Sequence, residues 1–492
     1  MGRTLRYAAS LRSAATQDAE MTPLRKLFFH RPLQHGEGDP VTTNHRRKKI
    51  LFLTSQLPYP PHQGGAIRTY NMIVNLAPRH EIHLLSFVNS PSDLMRAGPL
   101  HQYCQTIQAL PVPRRSSLKR LLTTLFSPLP DMALRLPSAE FRRALAARLE
   151  GERFDVVQVE SIEMAPYAMG DAGWGTDHRP FDSAQGGPLW VFDDYNAEYV
   201  LQQRAFETDV RHPRRWIGAF YSFIQWQKLR RYEAAVCQRV DRVIAVSEAD
   251  KEILQKLGPG VGVTVIPNGV DTRAYDPGQT YSLVLGPHPI VFTGKMDFRP
   301  NIDAVLWFCH QVLPLIKTQV PDVHFYIVGQ KPPPRLRPLA EDPAVTLTGY
   351  VDDVRPYIAG AGVYAVPLRI GGGTRLKIME AMALGKAIVS TSLGCEGYPV
   401  TSGRELVIAD TPQEFARCVV ELLGDAQRRE ELGHAGRRFV EERYDWRAIV
   451  PRLERVYESE SQAVLSRTQK PGILYNKTEP AVFINYSHKD EE

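Results

Sequence analysis

Two successive series of short apolar runs, each alternating with helix-like stretches, constrain this chain more than any other feature. The first series falls at Ile50–Thr54, Glu81–Phe87, Phe154–Glu160, Leu189–Asp194, Arg242–Ser247 and from Val263. The second falls at Pro289–Phe292, His324–Val328, Val345–Leu347, Gly362–Val366, Ala387–Thr391 and Glu405–Ile408. Uninterrupted apolar runs suit strands covered on both faces, and the helices between them supply the crossovers that parallel pairing needs. A polar stretch bearing Pro and Gly, 277–289, separates the two series. The expectation is an α/β chain of two doubly wound domains facing one another across a cleft.

Boundaries follow from the same pattern. A basic, disordered extension is expected over 1–47, a first Rossmann-like domain over 48–278 and a second over 279–445. A helix over 446–466 is expected to cross back to the first domain, followed by a disordered polar tail over 467–492. The chain's 492 residues suffice for such cores, and 43% hydrophobic with 23% charged residues is ordinary for a globular protein. A net charge of +6 spread over this length suits an anionic ligand or membrane surface and does not argue for nucleic acid. Cys104, Cys237, Cys309, Cys395 and Cys418 form no Cys-x-x-Cys pair, which leaves neither a zinc site nor a disulfide framework. With no apolar run of membrane-spanning length and no apolar core of a secretory signal, the expected location is cytoplasmic, with peripheral contact at the inner membrane face left open.

Within the second series, Arg369–Lys386 reads as a strand, a loop of Gly371, Gly372 and Gly373, a helix and the next strand. Glycines let the backbone approach a ligand closely, and the free N–H groups of a helix's first turn attract an anion. Arg375 and Lys377 add charge beside Thr374, and Glu380 follows about one and a half turns in, where a hydroxyl-rich group attached to the anion could meet it. A simple turn joining two elements remains the alternative reading. The first series repeats the arrangement with Gly64 and Gly65 ahead of a helix from about Ile67 to Leu76. Asn196 and Glu198 follow the strand ending at Asp194, and ligands collect at such strand ends.

Two further stretches mix cations with apolar side chains. Arg114–Phe126 fits either an anionic bilayer or a surface helix packed on the domain, and the packed helix is the expectation. Residues 198–239, interrupted near His212-Pro213, carry Arg211, Arg214 and Arg215 beside Trp216, Phe220, Phe223 and Trp226. They fit equally a membrane interface, a polyprenyl-linked acceptor or a long helix with its aromatics in the core. Residues 170–188 read as an inserted loop.

Seven short motifs occur in order: Pro61–Gly65, Ala245–Glu248, Ile266–Asp271, Phe292–Lys295, Ile327–Gly329, Leu347–Val351 and Glu380–Val389. Through them the chain resembles, over roughly 50–460, the retaining nucleotide-sugar-dependent glycosyltransferases of family 4, with the GT-B architecture. Among these it looks similar to sugar transferases of bacterial exopolysaccharide clusters found with the exosortase system. The resemblance implies a hexosyltransferase moving a sugar from a UDP- or GDP-linked donor to a glycan or polyprenyl-linked acceptor, without a metal cofactor. It gives Glu380 the donor ribose, Lys295 the donor phosphate, Tyr350 and Val351 the base, and Gly64 and Gly65 the loop closing toward phosphates and acceptor. Asn196 and Glu198 lie near the zone where sugar hydroxyls bind, and Gly294 precedes the phosphate cation.

Two departures stand out. Gly372 occupies the place of the first Glu in the family's paired-Glu motif, which leaves sugar recognition to the Gly371–Thr374 backbone. Pro300-Asn301 stands where the family has Lys-Gly, removing a phosphate cation for which Arg375 or Lys377 is the expected replacement. Lys295, Arg375 and Lys377 are thus the expected catalytic cations. Asp193-Asp194 and Asp352-Asp353 mimic metal-binding acid pairs, but Asp352-Asp353 is expected to open a helix. A nucleotide-sugar epimerase of the same architecture and a non-catalytic donor-binding subunit are the competing functions.

Overall fold

A computed structural model describes residues 46–61, 64–170, 187–211, 213–258, 260–371 and 373–458. Most of both expected disordered ends, most of the inserted loop, and His62, Gln63, His212 and Gly372 lie outside the described residues.

From Arg47 on, the described chain belongs to one compact unit holding two all-parallel sheets. The first part runs β1 (Lys49–Thr54), α1 (Gly64–Leu76), β2 (Glu81–Val88), α2 (Pro91–Arg96), β3 (Thr106–Pro111), α3 (Ser117–Phe126), α4 (Ala139–Gly151), β4 (Val156–Glu160), α5 (Ala165–Ala168) and β5 (Leu189–Asp194). It continues with α6 (Glu198–Asp209), α7 (Trp216–Arg239), β6 (Arg242–Ala245), α8 (Glu248–Gln255) and β7 (Val263–Val265). The second part runs β8 (Pro289–Thr293), α9 (Arg299–Trp307), α10 (Leu313–Lys317), β9 (His324–Val328), β10 (Val345–Gly349), α11 (Arg355–Gly360) and β11 (Val363–Val366). After it come α12 (Leu376–Ala383), β12 (Ile388–Ser390), β13 (Val407–Ile408), α13 (Pro412–Gly424), α14 (Ala426–Arg443) and α15 (Trp446–Glu458).

Strand order is β3-β2-β1-β4-β5-β6-β7 in one sheet and β10-β9-β8-β11-β12-β13 in the other. Each order reverses direction once, between β1 and β4 and between β8 and β11. A crevice opens at the carboxyl ends of the strands at such a switch point. The loops after β1 and β8 and the loops after β4 and β11 therefore border the two crevices.

Side-chain alternation along the strands fixes the layers. Leu51, Leu53, Val157 and Phe192 pack with Phe141 of α4 and Leu229 and Val236 of α7. Their neighbours Ile50, Phe52, Val156 and Val191 point to the other face, against Met72 and Leu76 of α1. Trp446, Ile449, Leu453 and Tyr457 of α15 complete that second layer, so the C-terminal helix packs on the first sheet.

The chain crosses between the domains twice, and the crossings lie side by side. The Val270 N–H donates to the Tyr444 carbonyl at 2.9 Å, and the Thr272 hydroxyl donates to Asp445. Gly269 sits against the return crossing, where a Cβ would come within 2.7 Å of Ile449 and 2.8 Å of the Tyr444 carbonyl.

Three elements carry features of their own, and the first differs from expectation. Helix α1 starts at Gly64, so the paired glycines form its first turn and are not a loop ahead of it. The helical stretch that opens with α9 carries a π turn at Phe308–Val312, just before Pro314, whose missing N–H cannot sustain regular pairing. On helix α3, Leu122, Leu125 and Phe126 are exposed, whereas Thr124 is buried.

Candidate active site

The loop after β11 is shaped by Gly371 and Gly373, whose φ angles of 114° and 78° lie in the left-handed region that favours glycine. It ends at Arg375, the N-cap residue of α12, whose extended backbone turns the chain into the helix. The Arg375 guanidinium donates back to the Gly373 carbonyl, and burial lowers its pKa.

Lys377 follows in the first turn. Its Nζ donates to Asn301 Oδ1 at 2.9 Å and stands 4.0 Å from the centre of the Phe292 ring. Asn301 Nδ2 donates to the Lys295 carbonyl at 2.8 Å, so one amide ties α12 to the turn after β8. At Gly294 a Cβ would lie 2.7 Å from Asn301 Nδ2 and 2.9 Å from Lys377 Nζ, so a larger residue there would displace this pair. Burial pushes the Lys377 ammonium down to about 7; the Glu380 carboxylate opposes the shift and Arg375 adds to it. Lys295 itself is exposed at the rim, with Asp297 at 4.0 Å.

Glu380, one turn behind Lys377, accepts from the Tyr275 hydroxyl at 3.0 Å. Burial raises its pKa, against the pull of that hydrogen bond and of Lys377. Tyr275 comes from the segment that crosses between domains, so the expected ribose carboxylate is engaged by the linker. Tyr350 and Val351 are not drawn into this cluster by the described contacts. They follow β10 at the sheet edge, Tyr350 exposed and Val351 against the domain core. Gly372 lies outside the described residues.

Across the cleft, the first domain presents the ends of β4 and β5 and the start of α1. A Cβ at Gly65 would lie 2.6 Å from the Tyr195 ring. That ring is pinned: the Tyr195 hydroxyl donates to Glu160 Oε2 at 2.6 Å, and Thr69 Oγ1 donates to the same oxygen at 2.8 Å. Burial, helped by the charge of Asp193, pushes the Glu160 carboxyl up to about 7. Arg68 is buried and clamps Asp193 through two bonds, Nε to Oδ2 at 2.8 Å and Nη2 to Oδ1 at 3.1 Å. Its Nη1 donates to the Pro267 carbonyl and to Asn268 Oδ1, at 3.1 and 3.2 Å. Asn268 Nδ2 then donates to Thr374 Oγ1 at 3.1 Å, joining the first domain to the glycine loop of the second.

Asn196 completes the junction. Its Oδ1 would lie 3.2 Å from a Cβ at Gly373, and it borders an open cleft. Asn196, Arg204 and Asp250 line one wall of that cleft, and Gly373, Thr374 and Glu396 line the other. Glu198 starts α6 beside it, where the Glu198 N–H donates to Glu233 at 2.7 Å and burial pushes the Glu198 carboxyl up to about 7.

In each acid pair one carboxylate is engaged elsewhere. Asp353 accepts from the backbone and guanidinium of Arg355 as α11 begins, and Asp193 is held by Arg68. Sequence reasoning missed Arg68, Thr69, Glu160 and Tyr195, because none lies in a glycine loop. An acidic residue closing an otherwise apolar strand, as Glu160 does, was the available signal.

Two Rossmann-like domains with facing switch-point crevices and a cation-bearing glycine loop define a GT-B fold. Residues 62–274 match the family model described as Glycosyltransferase Family 4, and residues 287–425 match Glycosyl transferases group 1. The chain belongs to the family 4 glycosyltransferases. It is 31% identical over 247 residues to the phosphatidyl-myo-inositol mannosyltransferase of Mycolicibacterium smegmatis, covering 48% of this chain and 60% of that protein. It is 26% identical over 216 residues to a GDP-mannose-dependent monoacylated alpha-(1-6)-phosphatidylinositol monomannoside mannosyltransferase of Corynebacterium glutamicum, covering 40% of this chain and 56% of the relative. The matched part thus spans little more than half the length of these curated relatives. In fold it is similar to Anabaena HepE, solved with UDP and glucose, at a TM-score of 0.55 and 16% identity over 84% of this chain and 100% of that one.

Proposed function

We propose that this protein is a retaining glycosyltransferase that moves a hexose from a nucleoside diphosphate to a hydroxyl of a glycan or lipid-linked acceptor, in the assembly of a polysaccharide. One observation carries the reading. At the β8/β11 switch point, Asn301 holds the Lys377 ammonium against the turn at Gly294, with Glu380 one helical turn behind.

Glycosyl transfer needs the departing diphosphate stabilised and the acceptor hydroxyl held near the anomeric carbon, so charge and positioning supply most of the rate. Lys377, Lys295 and Arg375, together with the N–H groups that open α12, would receive the diphosphate through side-chain and backbone charge, with no metal needed. Lys377 takes the place of the cation lost at Pro300-Asn301. Asn301, standing in that very dipeptide, is the residue that orients it. Glu380 would accept from the ribose, sharing or displacing the Tyr275 hydroxyl. The acceptor would enter beside Asn196 and Glu198, across from the Gly371–Thr374 loop.

The relatives named for mannosyl transfer make GDP-mannose the first donor to test, with UDP-glucose second. A bound donor raises the thermal midpoint, since ligand binding to the folded state stabilises it. Glu380→Ala should abolish that rise while leaving the fold intact. Sugar release that does not depend on any added acceptor would refute transfer.

A further inference from the structure

Among the described residues, exposed large hydrophobic side chains gather on two neighbouring segments. Leu122, Leu125 and Phe126 stand out from α3, and Val210, Trp216, Ile217, Phe220 and Phe223 from the α6–α7 hairpin tip. Ile217 is 91% exposed and Phe126 79%. The segments are joined: Lys228 of α7 donates to the Thr124 carbonyl at 2.6 Å, and Arg120 to the Tyr221 hydroxyl at 3.4 Å. Phe206 stacks on Trp226, Phe223 meets both at steeper angles, and the three rings stiffen the hairpin behind the tip.

The charge on these segments is one-sided. Neither 94–130 nor 210–232 contains an Asp or Glu, while Lys and Arg occur in them at Arg96, Arg114, Arg115, Lys119 and Arg120 and at Arg211, Arg214, Arg215, Lys228, Arg230 and Arg231. Flanking Asp131 and Asp209 offset part of this, Asp131 with Arg115 and Arg120, Asp209 with Arg215. The excess remains strongly positive.

From this we infer that the α3 face and the α6–α7 tip form a docking surface for an anionic lipid bilayer. Apolar side chains among cations are what an interfacial site requires: the rings and aliphatic chains enter the headgroup boundary and the arginines meet acidic headgroups. A second copy of this chain would bring cations against cations. Nucleic acid would leave Ile217, Leu122 and Leu125 without an apolar partner. Helix α6 runs from Glu198, beside the cleft, to Asp209 at the tip, about 18 Å for its 12 residues. A docked surface would therefore hold the bilayer within reach of the side of the cleft where Asn196 stands. The inference does not rest on the donor site, because docking is measured without donor.

The test is flotation of the full chain with vesicles of phosphatidylcholine alone and with about 30% phosphatidylglycerol. Binding to the anionic vesicles alone, weakened by salt, is expected. The Phe126→Ser/Ile217→Ser double variant should bind on the order of tenfold or more weakly, while Val284→Ser, equally exposed elsewhere, should not differ. Unchanged binding by the double variant overturns the inference, as does wild-type protein that ignores anionic vesicles. So does a wild-type dimer in light scattering that the double variant turns into a monomer.

Discussion

Lys377 gives the proposed donor site a pH dependence whose sign follows from its surroundings. In the free protein, burial holds its ammonium pKa near 7, where an exposed lysine would titrate about 3 units higher. A bound diphosphate supplies the missing counter-charge and must raise that pKa. Binding therefore takes up a proton whenever the free site is neutral. At pH 8 about one site in eleven is charged beforehand, so uptake approaches 0.9 proton, and affinity falls about tenfold for each further pH unit. Below pH 6 uptake vanishes and affinity levels off. A nucleotide sugar is the right probe, because its diphosphate diester does not titrate in this range. Calorimetry of GDP-mannose or UDP-glucose in two buffers of different ionisation enthalpy reads the proton count directly. Lys377→Met should bind weakly with no buffer dependence. Equal enthalpies in both buffers at pH 8, with wild-type donor binding intact, would refute the assignment of Lys377 to the diphosphate.

Two other perturbations test the first domain. Gly65→Ala places a Cβ 2.6 Å from a Tyr195 ring that Glu160 and Thr69 hold in place, so it should cost about 2 kcal/mol in urea unfolding; an unchanged midpoint would show the ring to be free to move. Asp194 is buried, neither carboxylate oxygen has a partner among the described residues, and burial first, then the charge of Glu233, raises its pKa well above the usual range. A raised carboxyl pKa costs the fold stability as pH climbs above the unfolded value near 4. Asp194→Asn should therefore melt higher than wild type at pH 8 and match it near pH 4. A gain that is instead larger at pH 4 would contradict this.

The fold was legible because its signals are local. Apolar runs such as Val156–Val159, Ser247 accepting from the Asp250 N–H, and the break before Pro213 each follow from a few neighbouring residues. The glycine loop was legible for the same reason. Less of the site could be read, because its partners meet across long sequence separations. Asn301 and Lys377 are 76 residues apart, and Arg68 and Asp193 are 125 apart. Pro300-Asn301 looked like the loss of a cation, and only the folded chain places that Asn against a lysine from another helix. At α3, period and composition describe an apolar side but do not say what covers it, and Leu122, Leu125 and Phe126 lie exposed.

The segment between the domains does more than connect them. Pro267 and Asn268 are fixed to the first domain by Arg68, whose guanidinium is buried and locked to Asp193. The same Asn268 reaches Thr374 in the glycine loop, and Tyr275, seven residues on, reaches Glu380 in the helix that follows that loop. The bonds differ in strength. Breaking the Arg68–Asp193 clamp would strand a buried charge, whereas parting Asn268 from Thr374 costs a single neutral hydrogen bond, about 1 kcal/mol net. Any opening of the cleft would therefore separate the domains at Thr374 first and leave the Arg68 clamp intact. The Gly371–Thr374 loop would move with the second domain, and Asn268 would stay with the first. The weak bond lies beside Asn196, where the proposed donor and acceptor zones meet, so a sugar bound between the walls would compete with it directly.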